Sequence, residues 1–216
     1  ASHPLPFVAP ILTLLLPETG EFAGEWHLID IGVDPAHIEA CDSPYSMIAP
    51  SVIVRVLPDR PKFAHKGSFG HAAIIGGASG MTGAPLISGL AALRSGCGLT
   101  TVCSSGDGMA QTAAHPELMF RSCGESYIET LPDTADFDSI GLGPGMGKDE
   151  RTVSALEEAF SMEIPLVLDA DALNLIAAHD LMDNVPAQSL LTPHPGEFKR
   201  LAGDWDSDQE LLSKAA

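Results

Sequence analysis

Short apolar runs recur through the chain from about residue 62, each followed by a glycine- or proline-rich turn and then by a helical pattern. The runs show no polar–apolar alternation, which is typical of parallel strands covered on both faces. This repeated order predicts an α/β domain with a mostly parallel sheet, right-handed crossovers and helices on both faces. The predicted strands are residues 71–75, 99–103, 118–122, 139–142, 165–168 and 189–191.

Helical patterns fill the gaps between these runs. In a parallel sheet the loops after the strands lie at one edge, where open α/β sheets bind their ligands. We therefore expect the loops around Gly145, Asp171 and His194 to share one edge. The predicted helices are residues 84–95, 108–114, 149–160, 172–178 and 196–201.

The chain divides by composition into two parts. Residues 1–61 are rich in proline and carry two strand-like runs, residues 11–16 and 26–31. Two such strands bury too little apolar surface for an independent core. We expect residues 1–61 to be a separate segment with a linker and residues 62–216 to form the α/β domain, ending in a polar helical stretch at 206–216.

Charge narrows the range of partners. The 216 residues include 11 basic and 29 acidic side chains, for a formal charge of −18. That balance repels nucleic acid and anionic lipid, so neither nucleic acid nor membrane is expected, and small-molecule chemistry is favoured. The run at 11–16 is too short to cross a bilayer. Four cysteines without a CxxC pair indicate free thiols and a cytoplasmic protein: Cys41, Cys97, Cys103 and Cys123.

Two glycine-rich loops are candidate ligand contacts. Residues 76–83 lack the Lys-Ser/Thr of a P-loop, so a tight turn and a ligand contact both remain open. Residues 143–147, GPGMG, combine a stiff bend with bare backbone. Because Asp149 and Glu150 disfavour phosphate at the next helix start, we expect this backbone to contact a ring or a sugar.

Polar side chains after the last two strands supply further candidates. His194 lies between two prolines, which favours extended backbone and a fixed ring direction, so a ligand contact is predicted. Glu197 opens the next helix, where capping and chemistry are equally open. Asp169 and Asp171 suit Mg²⁺, ribose hydroxyls or helix amides. The absence of HExxH and of the zinc-deaminase pattern argues against a catalytic metal hydrolase, and no protein-held metal site is predicted.

Six segments, in order, resemble the ADP/ATP-dependent NAD(P)H-hydrate dehydratases. The resemblance implies a ribokinase-like three-layer α/β fold and a lyase that repairs hydrated NADH or NADPH (NADHX or NADPHX, S epimer) with ADP or ATP and Mg²⁺. The nucleotide phosphorylates the substrate hydroxyl, and elimination restores the dihydronicotinamide. The segments are residues 64–70, 75–78, 83–84, 143–147, 169–173 and 192–197.

The resemblance also assigns residues. It implies substrate contacts by Ala84, Gly145, Gly147 and His194. It leaves a substrate or nucleotide contact open for three carboxylates, Asp169, Asp171 and Glu197.

Both ends of the chain depart from this family. Residues 12–17 and 29–32 resemble the last strands of the NAD(P)H-hydrate epimerase domain that bacteria often fuse ahead of the dehydratase, so a bifunctional enzyme with a fused epimerase is implied. The family's Gly-x-Gly-Asp loop, with its phosphate site and probable base, is not found after Glu197. The C-terminal part of the fold and the catalytic residue are therefore expected beyond Ala216, and these 216 residues are expected to be inactive alone. A homo-oligomer is also expected.

Two other functions remain open from the sequence. One is a ribokinase-like small-molecule kinase of the hydroxyethylthiazole-kinase type, which hydroxyethylthiazole would protect thermally where hydrated NADH would not. The other is a non-catalytic half-domain, which would bind no nucleotide.

Overall fold

Six parallel strands form one sheet in the order β3-β2-β1-β4-β5-β6. They belong to a computed structural model that describes residues 3–57, 59–162 and 164–215. The predicted parallel α/β sheet is thereby confirmed, with its strands within about two residues of the expected positions. The strands are β1 (His71–Ile75), β2 (Leu99–Ser104), β3 (Met119–Ser122), β4 (Ser139–Leu142), β5 (Leu166–Leu168) and β6 (Leu190–Leu191).

α-Helices connect consecutive strands as predicted, apart from β3 and β4, which are connected by a loop with a 3₁₀ turn. Further helices lie before β1 and after β6. Four 3₁₀ turns accompany them among the described residues, at Leu12–Leu14, Lys66–Phe69, Thr134–Asp136 and Met182–Asn184. The α-helices are α1 (Pro17–Gly20), α2 (Pro35–Glu39), α3 (Pro50–Val56), α4 (Gly83–Ser95), α5 (Gly108–Thr112), α6 (Glu150–Ser161), α7 (Asp171–Ala178), α8 (Pro195–Ala202) and α9 (Asp208–Ala215).

The strand order reverses between β1 and β4. From β1 the chain moves outward through β2 to β3, whereas from β4 it moves the other way through β5 to β6. Because crossovers are right-handed, opposite directions put α4 and α5 on one face and α6 and α7 on the other. The crevice between the β1 and β4 loops is the topological switch point, where open α/β sheets bind ligands.

The main core lies between the sheet and the α6–α7 face. Fully buried strand residues such as Ile75, Leu142 and Leu168 pack there against Leu156 of α6 and Leu173 of α7. The α6 sequence places apolar residues at helical spacing, and Asp149 begins this helix by accepting a hydrogen bond from the Arg151 N–H at 3.1 Å.

The opposite face is covered only in part. A row of paired residues crosses it, Ile74–Gly141–Val167–Leu190, and the last two are 42% and 59% exposed. The expectation that these strands are covered on both faces is therefore wrong for β5 and β6. The three-residue apolar run of β5 is too short for its pattern to distinguish one covered face from two.

Residues 1–60 and 204–216 form one compact unit, and residues 61–203 form the other. In the first unit, the expected strand at residues 26–31 is reduced to an isolated bridge, in which Ile29 pairs in parallel with Phe7. The expected strand at 11–16 is wrong: a 3₁₀ turn occupies Leu12–Leu14, and α1 follows. Prolines at both ends of the run, Pro10 and Pro17, remove amide donors that a strand would need.

A reciprocal pair of bonds ties α1 to α9 within this unit. The Glu18 N–H donates to Asp208 at 2.8 Å, and the Asp208 N–H donates to Glu18 at 3.1 Å. Each carboxylate thus caps the start of the other helix, where it also complements the helix dipole. The polar helical stretch expected at 206–216 is α9.

All four cysteines are free thiols, as the spacing predicted, and Cys103 and Cys123 are fully buried. Among the described residues, we find no helix whose length and hydropathy would carry it across a bilayer.

Candidate active site at the carboxyl edge of the sheet

The loops after β1 and β4 are joined by backbone hydrogen bonds. The Gly77 N–H donates to the Pro144 carbonyl at 3.0 Å, and the Ala78 N–H donates to the Gly145 carbonyl at 2.7 Å. A side chain at Gly76 would place its Cβ 2.2 Å from the Pro144 carbonyl oxygen. The contact therefore needs glycine, and the two glycine-rich loops continue the β1–β4 pairing beyond the strands.

Two glycines of the GPGMG loop are required by its geometry. Gly143 has φ +126°, and a Cβ there would lie 1.9 Å from the Asp169 carbonyl oxygen. Gly145 has φ +59°, and a Cβ there would lie 2.7 Å from the Met81 carbonyl oxygen. Both positions combine left-handed backbone with close approach, so no larger residue fits without a shift of backbone.

Three predicted substrate contacts come together at this loop. The Cβ position of Gly145 is 3.5 Å from the Ala84 side chain, and that of Gly147 is 3.4 Å from the Ala78 side chain. Ala84 is exposed in the first turn of α4, and Gly145 is half-buried. Gly147 is buried, and the exposed Met81 side chain lies beside both glycines. We call this group of residues the cleft.

The loop after β5 supports this cleft. Asp171 accepts a hydrogen bond from the Gly147 N–H at 3.0 Å, and Asp169 accepts one from the Thr192 hydroxyl at 3.0 Å. Between the two acids, Ala170 has φ +50° and ψ −117°. This strained backbone turns both carboxylates toward neighbouring loops. The two acids thus connect the β4, β5 and β6 loops.

His194 caps α8, and both of its ring nitrogens are engaged. Nδ1 accepts a hydrogen bond from the Gly196 N–H at 3.0 Å, and Nε2 lies 3.2 Å from Glu197 Oε1. An accepting Nδ1 carries no proton, so a neutral ring holds its proton on Nε2, the nitrogen that faces Glu197. The ring is largely exposed all the same, with 64% of its side chain accessible.

Glu197 is the buried member of this pair. It is only 6% exposed, and its second oxygen accepts the His194 N–H at 3.0 Å. The reciprocal bonds form a capping box, so the capping interpretation of Glu197 is confirmed. The same bonds fix the direction of the imidazole, as the flanking prolines predicted, while leaving its face and carbon edge for a ligand.

A second acid–base cluster lies at the start of α6. The Arg151 guanidinium donates to Asp149 at 2.7 Å, approaches Glu129 at 3.1 Å and lies 4.1 Å from the centre of the Tyr127 ring. The hydrogen bond from Arg151 lowers the pKa of Asp149 below its ordinary value. Exposed Lys148 precedes this cluster. The Arg151 charge is thus balanced within the cluster by the carboxylates of Asp149 and Glu129.

The structure also places residues at this edge that sequence reasoning missed. Ser79 donates to Asp107 at 2.5 Å, and the Ser79 N–H donates to the Ser126 carbonyl at 2.7 Å. These bonds join the loops after β1, β2 and β3. Ser105, fully buried at the end of β2, has no described partner for its hydroxyl. Serines at loop positions carry no distinguishing pattern, so the sequence offered no signal for them.

The chain was compared with protein families and known proteins. Residues 72–216 match the family described as NAD(P)H-hydrate dehydratase. The bifunctional NAD(P)H-hydrate repair enzyme of Coxiella burnetii is 33% identical over 201 residues, which are 91% of this chain and 40% of that protein. The chain thus spans well under half the length of this curated relative.

Two solved structures are similar in fold. The ADP/ATP-dependent NAD(P)H-hydrate dehydratase of Bacillus subtilis, co-crystallised with ATP and Mg²⁺, matches with a TM-score of 0.60 and 30% identity over 77% of this chain and 58% of its own. A ribokinase-like superfamily protein of Enterococcus faecalis matches with a TM-score of 0.66 and 23% identity over 81% of this chain and 65% of its own. The ribokinase-like α/β fold is therefore confirmed.

Proposed function

The chain belongs to the NAD(P)H-hydrate dehydratase family, and on that premise we propose that its strand-end edge binds hydrated NADH or NADPH for nucleotide-dependent dehydration. The observation that carries the proposal is the surface formed by the hydrogen-bonded β1 and β4 loops. It lies at the switch point of the sheet and is lined by bare backbone.

Ala84, Gly145 and Gly147 form the substrate contact in this proposal. A dihydronicotinamide ring and its ribose are flat or shallow groups, and the missing side chain of Gly145 lets such a group approach the backbone beside Met81. Asp171 keeps the Gly147 amide in place through its 3.0 Å hydrogen bond, so it supports the cleft from behind.

His194 contributes to the same site from the loop after β6. Because Gly196 and Glu197 occupy both ring nitrogens, the proposed contact uses the face or carbon edge of the imidazole rather than a new hydrogen bond. Glu197 acts through His194 and is a positioning residue. That a ligand touches His194 stays a prediction.

ADP or ATP and Mg²⁺ are proposed from the relatives, and the acids at this edge fit such a pair. Asp169, Asp171 and Glu197 do not converge as three ligands for one ion; the described part of the chain has one such cluster, and it lies elsewhere. Mg²⁺ in nucleotide sites needs only one or two carboxylates besides phosphate oxygens. Asp169 and Asp171 each use one oxygen in the bonds described above, and the other would be available to the ion.

The nucleotide supplies the phosphoryl group that makes the substrate hydroxyl a leaving group. In this proposal the cleft holds the ring in position while that hydroxyl is transformed. The same proposal includes a fused epimerase partner, as in the bifunctional relatives. It also includes a cytoplasmic location and a homo-oligomeric state.

A variant that fills the cleft tests the proposal. Ala84→Phe places a ring at the exposed first turn of α4, and we expect it to abolish thermal protection by hydrated NADH. Ser95→Phe is the matched control, since Ser95 is exposed on the same helix about 17 Å away at the opposite edge of the sheet. It should leave protection unchanged.

Three outcomes would contradict the proposal. The first is that hydrated NADH raises the Tm of neither the parent chain nor a longer form. The second is that it raises the Tm of the Ala84→Phe and Ser95→Phe variants equally. Protection by hydroxyethylthiazole but not by hydrated NADH would favour a small-molecule kinase instead.

A further inference from the structure

Two histidines and a glutamate lie together in the unit formed by residues 1–60 and 204–216. His3, Glu25 and His27 each offer one ligand atom, and these atoms lie within 4.8 Å of one another. The His27 Nε2 to Glu25 Oε1 distance is 3.8 Å. The rings of His3 and His27 stack with centroids 6.5 Å apart and planes inclined by 25°.

The backbone holds these side chains side by side. The His27 N–H donates to the Pro4 carbonyl at 3.1 Å, and the Ile29 N–H donates to the Pro6 carbonyl at 2.9 Å. His3 is therefore next to His27 because two extended segments pair in parallel. Glu25 lies at a bend two residues before His27, and the bend brings its carboxylate to the His27 ring.

The donor set selects a class of metal. Two imidazoles and one carboxylate are the ligands of Zn²⁺ sites, whereas Mg²⁺ and Ca²⁺ take oxygen ligands. Bonds of about 2.0–2.2 Å in a tetrahedron put ligand atoms roughly 3.3–3.5 Å apart. The three side chains are exposed, so rotation about their own bonds closes the remaining gap of about 1 Å.

We propose that His3, Glu25 and His27 bind one Zn²⁺ ion, with water as the fourth ligand. The ion would bridge two segments distant in sequence, residues 3–8 and 25–29. Apart from the backbone hydrogen bonds, little burial joins these segments, since Pro6 and Ala23 are the only described buried residues of this unit. A metal that binds the paired form alone stabilises it by mass action. The site is separate from the proposed dehydratase function.

Titration of the tag-free chain with Zn²⁺ against a chromophoric chelator tests the site. We expect one equivalent to bind, with His27→Ala and Glu25→Gln each weakening it at least tenfold. His37→Ala is the matched control, because His37 is an exposed histidine of α2 in the same unit. A site made by His3 and its immediate chain neighbours alone would survive His27→Ala, and that result would overturn the proposal.

Hydrogen exchange gives a readout that does not depend on affinity. Zn²⁺ should slow exchange of the His27 and Ile29 amides, which donate to Pro4 and Pro6, in the parent chain and in His37→Ala. The His27→Ala variant should show no slowing at the Ile29 amide. Equal slowing in His27→Ala, or none in the parent chain at saturating Zn²⁺, would also overturn the site.

Discussion

Replacing His194 by alanine should destabilise the protein as well as weaken its substrate binding. The substitution removes the cap on the Gly196 N–H, a loss of about 1 kcal/mol at helix starts. It also removes the Nε2 partner of Glu197, a carboxylate that is 6% exposed.

The contact between the imidazole and the carboxylate is worth at most about 1.5–3 kcal/mol, the value of a hydrogen bond to a charged group. Because 64% of the His194 side chain is exposed, solvent screening reduces this to about 1 kcal/mol. The sum is about 2 kcal/mol, or roughly 4–8 °C in Tm for a chain of this size.

His194→Asn separates the two contributions. Asparagine is a good cap but is too short to reproduce the contact with Glu197, so it should recover about 1 kcal/mol. Urea denaturation followed by circular dichroism measures the midpoint for both variants and for Glu197→Gln. The double variant His194→Ala/Glu197→Gln then gives the coupling between the two side chains, which we expect to be about 0.5 kcal/mol or more.

The substrate assay uses the same proteins. If the exposed ring contacts the ligand, His194→Asn should bind hydrated NADH as weakly as His194→Ala although it is more stable. A parent-like midpoint for His194→Ala, or zero coupling with Glu197, would refute the reasoning. If the affinity for hydrated NADH only follows the stability of His194→Ala, His194→Asn and Glu197→Gln, then His194 acts as a helix cap and does not contact the ligand.

Two further predictions concern the glycine loop and the thiols. Gly143→Ala should prevent folding or lower the free energy of unfolding by at least about 4 kcal/mol, because its Cβ would lie 1.9 Å from a carbonyl oxygen. The control Gly80→Ala, at φ +80° with nothing within 4 Å, should lower it by only about 1–2 kcal/mol in the same urea assay. Similar urea midpoints for the two variants would contradict this prediction. In a thiol-reagent titration at neutral pH, exposed Cys41 should react first and Cys103 only on unfolding. The reason is that the hydrogen bond with Cys123, and then burial, raise the pKa of Cys103 and keep it a neutral thiol. Rapid labelling of Cys103 in the folded chain would contradict this prediction.

The sequence was a good guide to the sheet because its strands and turns are local patterns. An apolar run of four or five residues followed by glycines identifies β1 and β4 without knowledge of their neighbours. The apolar run at 11–16 predicted a strand, but the prolines on either side of it remove the amide donors that a strand needs. The exposure of Val167 was missed since it depends on which helices cross each face.

Within the site, the sequence identified residues but not their partners. The resemblance pointed to Ala84, Gly145 and Gly147, and the structure brings these three together. It could not show that Glu197 holds the His194 ring, or that Ser79 binds Asp107 across two loops. Such pairings depend on side-chain directions at distant positions, which no spacing rule contains.

The hydrogen bonds that join Gly77 to Pro144 and Ala78 to Gly145 have a consequence for binding entropy. A ligand loop that is loose before binding loses conformational freedom when the ligand arrives, and that loss is subtracted from the affinity. Here the two loops are ordered when the protein folds, so a ligand meets backbone that is already in position. Affinity in this cleft therefore depends also on the β1–β4 hydrogen bonds, one of which ends on the carbonyl of Gly145, a residue of the proposed substrate contact.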